Sequence, residues 1–418
     1  MKIIDSGVNW IGKIPENWDL EKIGGLYSLR TEKVSDKEYQ PLSVTMKGVV
    51  PQLETAAKTN DGDNRKLVRK GDFVINSRSD RRGSCGISEL DGSVSLINHV
   101  LTPRKKMIPQ YFNWLFHTVQ FADEFYSWGH GIVSDLWSTN WQEMKKITIP
   151  VPPINEQLVI AKFVDSKCAE IDSLIEGLTQ EIQGLQEYRE STITEAVTRG
   201  IMANVEMKES GVEWCPYVPK HWITTNPKAL FSLRNQRASQ GERQLTASQK
   251  LGIVYQDEYM EAEGLKLVTV EKDFSILKHV EPNDFVISMR SFQGGLEYSE
   301  LSGSISSAYV MLIPNEDKVY PAFYKWFFKS SKYINAIQST TNLVRDGQAM
   351  RYTNFVKVPL FIIPINEQKQ IADYLEKRVK QIDEIIDNKQ SQLETLLAYR
   401  KAFIFEYITG KKEVPSNA

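Results

Sequence analysis

A chain of 418 residues and 47.9 kDa is too long for one small module and predicts about two to four folded units. Hydrophobic residues at 41% and charged residues at 25% exclude wholesale disorder, and no apolar run reaches the roughly 18 residues that a membrane span needs. The 51 Lys+Arg against 53 Asp+Glu leave a formal charge of −2, which excludes a uniformly basic tail protein; the first ten residues lack the basic flank and apolar core of a secretion signal, so a soluble, cytoplasmic protein is expected.

The chain opens on Ser6-Gly7-Val8-Asn9-Trp10, followed by Pro15 and Trp18, and then by Leu26-Tyr27-Ser28-Leu29-Arg30. Between residues 62 and 106 ten basic side chains face five acidic ones. Within that stretch Gly71-Asp72-Phe73-Val74-Ile75 reads as a short strand, and Asp61-Gly62 and Asp91-Gly92 read as turns. The segment Ser77-Arg78-Ser79-Asp80-Arg81-Arg82-Gly83-Ser84 follows the strand and ends in glycine; it could offer guanidinium forks to guanine edges and hydroxyls to phosphate. An aromatic helical stretch lies around Trp114, then polar loops at Trp128-Gly129-His130-Gly131 and Ser134-Asp135-Leu136-Trp137. Pro152-Pro153-Ile154-Asn155-Glu156-Gln157 then introduces a segment with no proline before Pro216, in which Ile160, Val164, Ile171, Ile175, Leu178, Ile182 and Leu185 form a helical stripe.

The second half repeats this order. Ser210-Gly211-Val212-Glu213-Trp214 with Pro219 and Trp222, and then Leu230-Phe231-Ser232-Leu233-Arg234, recur 204 residues after their counterparts; Asn283-Asp284-Phe285-Val286-Ile287, followed by Arg290-Ser291, recurs after 212. Trp326 answers Trp114, and Pro364-Ile365-Asn366-Glu367-Gln368 answers the earlier proline motif after 211. Self-similarity over this length means two copies of one unit, with insertions in loops. The loops themselves differ. The second copy has Arg290-Ser291-Phe292-Gln293-Gly294-Gly295 and, ahead of its helix, Thr340-Thr341-Asn342-Leu343-Val344-Arg345-Asp346-Gly347-Gln348.

Each copy therefore predicts an α+β globular domain followed by a long helix. Pro153 and Pro364 suit a helix start, and Asn155 and Asn366 are placed to cap it. The second stripe, Ile371, Leu375, Val379, Ile382, Ile386, Leu393 and Leu396, is broken at Lys389. A lone amphipathic rod is unstable in water, so the economical arrangement packs the two rods as an antiparallel coiled coil; two core helices buried separately in their own domains are the alternative. Net charge is +2 for residues 1–150, −5 for 151–199, +1 for 200–361 and 0 for 362–418. The globular parts carry the positive side.

Catalytic signatures are missing. Gly7 to Ile14 imitates a phosphate loop in spacing, but Ile14 stands where a magnesium-holding hydroxyl belongs. His99, His117, His130, His221 and His279 show no metal spacing, and Cys85, Cys168 and Cys215 form no CxxC pair, so no metal site is expected. There is no GxGxxG after a strand, no GxSxG elbow and no Asn-Pro-Pro-aromatic segment.

The duplicated Ser-Gly-Val-x-Trp start, with Trp10, Trp18, Trp214 and Trp222, and the duplicated Pro-Ile-Asn-Glu-Gln helix start, with Ile160 and Ile371, resemble the specificity subunits of type I restriction-modification enzymes over essentially the whole chain. Ile363 stands where the first copy has Pro152. The resemblance implies two pseudo-symmetric α+β target recognition domains separated by two long helices: residues 1–150 and 200–361 as domains, 151–199 and 362–412 as spacer helices, and 413–418 as a tail. It implies a non-catalytic subunit, each domain reading one half of an asymmetric split site in double-stranded DNA. The helices would set the gap and dock two modification (methyltransferase) subunits, with S-adenosylmethionine, ATP and magnesium on partner subunits. Whether restriction (ATP-dependent translocase and endonuclease) subunits join is left open. Arg65, Lys66, Arg78, Arg81, Arg82 and Arg104 in the first copy, and Arg290, Gln293, Arg345 and Gln348 in the second, are the candidate DNA-binding residues. Pro153, Asn155, Glu156, Gln157, Ile160, Pro364, Asn366, Glu367, Gln368 and Ile371 are the candidates for spacer and docking. A coiled-coil scaffold with two protein-binding heads, and a methyltransferase fused to its recognition domains, are the alternative readings.

Overall fold

A computed structural model describes residues 2–54, 62–131, 137–248, 251–270, 273–287, 296–340 and 350–415. The chain divides into two compact units, Met1–Thr179 with Ser391–Ala418, and Gln180–Gln390. Each unit contains the globular part of one copy and a portion of both long helices, Ile154–Arg199 and Ile365–Ile408. The division thus falls within the helices and not at their ends.

The helices start earlier than an asparagine cap requires, at Ile154 and Ile365, so Asn155 and Asn366 do not cap them. Val151 is still paired with Asp19, and Ile362 with Ile223, in two-stranded sheets, so the chain is held extended up to the prolines. Gln157 N–H and Gln368 N–H close the first turns on the Pro153 and Pro364 carbonyls, both at 3.0 Å, which places Asn155 and Asn366 inside the turn. Both helices stop at a glycine with positive φ, Gly200 at 73° and Gly410 at 70°.

In the first unit four antiparallel strands stand in the order Cys85–Ile87, Phe73–Asn76, Asn98–Pro103, Tyr27–Leu29. The helices Pro109–Phe116 and Val119–Ser127 share their aromatic core with this sheet: Phe73, Phe112, Phe116, Phe121 and Phe125 are all buried. The second unit repeats the sheet as Phe231–Arg234, Val310–Pro314, Phe285–Ile287, Glu297–Tyr298, with helices Pro321–Phe327 and Ser331–Gln338. Beside each sheet lies a smaller β cluster whose core matches side chain for side chain. Leu42, Val68, Val74, Val94 and Val100 in one unit answer Leu245, Val280, Val286, Ile305 and Met311 in the other. The α+β architecture expected for each copy is what the chain adopts. The copies differ at the helix Gln256–Glu263, which follows the hairpin of the second unit.

The duplicated sequence signatures turn out to be buried fastenings. Asp72 accepts from Arg30 at 2.9 and 3.0 Å, and Asp284 accepts from Arg234 at 2.6 and 3.0 Å. The same carboxylates hold the preceding turn by accepting from Arg69 N–H and Glu281 N–H. That turn needs positive φ at Gly71 (91°) and at Asn283 (75°), and asparagine is among the few side chains that tolerate it. Glu156 accepts from Trp18 Nε1 at 2.8 Å, and Glu367 accepts from Trp222 Nε1 at 3.1 Å. Gln157 and Gln368 each accept from the backbone N–H just ahead of the aromatic helix, at Ile108 and Tyr320, and donate to the Pro152 and Ile363 carbonyls. Even an exposed ion pair recurs with its charges exchanged, Lys2–Glu16 against Lys220–Glu206.

Within each unit the two helices touch along an antiparallel seam. In the first, Phe163 packs on Phe403 and Tyr407, and Arg400 forks onto Asp172 at 2.7 and 2.9 Å. In the second, Arg189 pairs with Asp383 at 2.7 Å and Lys389 with Glu181. Lys389, the interruption in the stripe, is therefore a cross-helix ion pair. Partly exposed pairs of this kind contribute about 0–1 kcal/mol each, so the buried Ile371, Leu375, Val379, Ile382 and Ile386 carry the stability and the charges fix the register. The expected coiled-coil pairing is what the chain shows; burial of each helix in its own domain alone is not.

Candidate nucleic-acid interface

In the first unit the strand Phe73–Asn76 runs straight into the arginine-rich segment. Ser79–Arg81 makes one 3-10 turn, and Gly83, at φ 75°, lets the chain return as Cys85–Ile87. This excursion is fixed from beneath. Tyr126 Oη donates to the carbonyls of Asn76 and Arg81 at 3.2 and 3.3 Å, and Asn76 Oδ1 accepts from Arg78 N–H at 3.0 Å. The loop after the second aromatic helix lies against it: Ser79 N–H donates to Trp137 O, Thr139 N–H donates to Ser77 O, and Trp137 Nε1 donates to Tyr126 O. His130 and Ser138 exchange backbone hydrogen bonds at 3.0 and 3.1 Å. The polar loop that distinguishes the first copy is thus joined to its arginine segment. Arg78, Arg81 and Arg82 are exposed at the edge of this platform, Arg81 beside Asp80 and Arg82 paired with Asp123.

A third element completes the surface. Strands Leu42–Thr45 and Gly48–Pro51 pair as a hairpin whose two-residue tip is Met46-Lys47. Thr45 Oγ1 accepts from Lys47 N–H and donates to Gly48 O, and Gly48 sits at φ 106°. Met46 is 71% exposed, and a Cβ at Gly83 would lie 3.9 Å from its methyl, so the hairpin tip and the arginine turn are neighbours. Met-Lys is not a turn signature, so the sequence alone does not announce this hairpin; the lone glycine between Val44 and Val49 is the signal that it offers.

The remaining candidates divide. Arg65 does not face solvent: it is 4% exposed, and its guanidinium donates to Ser93 Oγ and Ser93 O at 2.8 and 3.0 Å. Burial draws its pKa below the ordinary value, against the nearby Asp36 carboxylate, and its hydrogen bonds serve the sheet and not a phosphate. Lys66 is likewise half-buried, with Nζ donating to Asn98 O and its pKa lowered by that burial. Arg104 is exposed but donates to Tyr27 O beyond the far end of the sheet. Arg290, Gln293, Arg345 and Gln348 lie outside the described residues.

Of the spacer and docking set, Gln157, Ile160, Glu367, Gln368 and Ile371 are buried, and Glu156 is spent on Trp18 and Asn17, so these residues anchor domain to helix and offer no outward surface. Pro153, Asn155, Pro364 and Asn366 are exposed. Among the described residues no cluster of His, Cys, Asp and Glu is arranged to hold a metal, and no helix is long and apolar enough to cross a membrane.

A family model described as the type I restriction modification DNA specificity domain matches residues 15–184. A Methanocaldococcus jannaschii protein, provisionally named as the type I restriction enzyme MjaX specificity subunit, is 22% identical over 97% of this chain and 96% of its own. Among solved structures, a chain from a study of complex assembly and conformational transition in the type I R-M system superposes with a TM-score of 0.70 at 14% identity, covering 96% of this chain and 99% of that one. The HsdS subunit of Thermoanaerobacter tengcongensis gives 0.50 at 14% identity, over 96% and 98%.

Proposed function

We infer that the chain is a type I restriction-modification specificity protein and the DNA-reading subunit of such a complex, each unit reading one half of a split site. The observation that carries the reading is the combination of one buried frame with two sets of loops. Arg30–Asp72 and Arg234–Asp284, Trp18–Glu156 and Trp222–Glu367 hold the same scaffold, while Ser77-Arg78-Ser79-Asp80-Arg81-Arg82 in one copy stands against Met289-Arg290-Ser291-Phe292-Gln293-Gly294 in the other. Two like scaffolds bearing unlike loops suit an asymmetric target. Arg78, Arg81 and Arg82 are the reading cations of the first unit, and Arg290, Gln293, Arg345 and Gln348 are the corresponding candidates in the second. In this reading the chain performs no chemistry. Two modification subunits supply the methyltransferase with its S-adenosylmethionine; ATP and magnesium belong to partner subunits, and the work is done in the cytoplasm. Pro153, Asn155, Pro364 and Asn366 are the exposed residues of the docking set.

Mapping methylated positions in the host genome tests the reading, and an asymmetric bipartite motif lost on deletion of this gene is the expected result. Affinity of the purified complex for its site should fall linearly with log salt, with a slope of about −0.9 per phosphate neutralised; salt-insensitive binding would favour a protein-binding scaffold. Changing Arg78, Arg81 and Arg82 to alanine should weaken binding by about 1–3 kcal/mol for each base-reading fork and relax one half-site while the other stays strict, which methylation sequencing reads directly. Unaltered specificity would move the reading face elsewhere.

A further inference from the structure

We propose that Met46, at the tip of the hairpin beside the arginine turn, is a specificity determinant of the first unit, and that its thioether methyl packs on the C5-methyl of a thymine in the major groove. The inference rests on the DNA-reading function above and deepens it. A side chain of this kind, 71% exposed on a two-residue tip, is costly in apolar surface and contributes nothing to the core beneath, which is filled by Leu42, Val44 and Val49. The tip is nevertheless held firmly, by the Thr45–Lys47–Gly48 hydrogen bonds and by the close backbone approach of Gly86, whose Cβ would meet Gly48 Cα at 2.7 Å. A two-stranded ribbon is one of the shapes that the major groove admits, and of the groups exposed there only thymine offers an apolar one. Lys47 beside it, exposed at the same tip, is suited to a phosphate, and Arg81 and Arg82 across Gly83 are suited to guanine or phosphate. Among the described residues of the hairpin tip and the arginine turn, Met46 is the exposed apolar side chain among cations, and a thymine methyl is the group that it fits.

The test uses the full chain in its assembled complex, on duplexes of the mapped recognition sequence. Each thymine of the half-site read by the first unit is replaced in turn by uracil, which removes the C5-methyl and leaves pairing intact. One such replacement is expected to lower affinity about fourfold, as loss of one buried methyl contact should. In Met46→Ala that sensitivity disappears, in Met46→Leu it persists, and in Arg81→Ala it persists. Because Met46 is exposed, none of these changes endangers folding. A half-site without thymine, a uracil sensitivity unaffected by Met46→Ala, or sensitivity to base-step flexibility in place of the methyl, which would mark a wedge between bases, each overturns the assignment while leaving the DNA-reading function intact. Failure of the wild-type complex to bind DNA in a sequence-dependent way would instead remove the function itself.

Discussion

Asp284→Ala should lower the unfolding free energy of the second unit by about 3–5 kcal/mol, because it strands the Arg234 guanidinium in a place where that side chain is only 16% exposed. The carboxylate is 1% exposed and does two tasks at once, receiving both arms of the guanidinium and closing the turn through Glu281 N–H. Losing it also loosens the turn at Asn283, whose positive φ is then held only through Ser299 O and the Tyr298 hydroxyl. Asp72→Ala should act in the same direction in the first unit but less strongly, since Arg30 is 22% exposed and can find water. Urea unfolding followed by hydrogen exchange at residues 231–234 and 285–287 separates the two cases. If Asp284→Ala unfolds with the wild-type midpoint, the pair is an ornament of the fold and the duplicated Leu-x-Ser-Leu-Arg and Asp-Phe-Val-Ile segments need another explanation.

A larger effect is expected on recognition when the helix pair is lengthened. Glu181 and Lys389 are opposite one another, so seven residues inserted beside each extend both helices at one level, and a heptad keeps the apolar seam in phase. Seven residues add about 10 Å at 1.5 Å per residue, or about three base pairs of duplex. Binding to the original site should then drop to the non-specific level, a loss of about a thousandfold or more, and methylation should move to sites whose gap is longer by about three base pairs. Methylation sequencing of a host carrying the altered gene provides the readout. An unchanged motif would show that the helices do not set the gap, whatever else they hold.

Much of the fold was legible because duplication is a strong constraint: two cores of the same shape must be filled by side chains of the same size, so Val74 and Val286 or Trp18 and Trp222 recur at regular offsets. What the matching residues do was less legible. Glu156 and Gln157 look like ordinary first-turn polar groups, and only the folded chain turns them back onto Trp18 and Ile108 N–H. Arg65 illustrates a different failure. A cation among cations reads as surface, yet in the strand Arg65–Val68 it shares a face with Leu67, and that alternation was visible beforehand. The hairpin tip was hidden for the opposite reason, since its turn depends on Gly48 and on a threonine side chain and not on the usual Asn-Gly or Asp-Gly pair.

The make-up of the two units has a consequence for how the chain comes into being. Gln180–Gln390 is one uninterrupted stretch, whereas Met1–Thr179 has its core closed by Phe403, Ile404 and Ile408, its Tyr111 hydroxyl received by the Ile408 carbonyl, and Lys411 Nζ bound to Ile11 O. On the ribosome the half made first must therefore wait, its aromatic interior uncovered, until the last segment emerges, while the half made second can settle before it. Order of synthesis and order of completion run in opposite directions, and it is the earlier-made half that is exposed to chaperones and proteases in the interval.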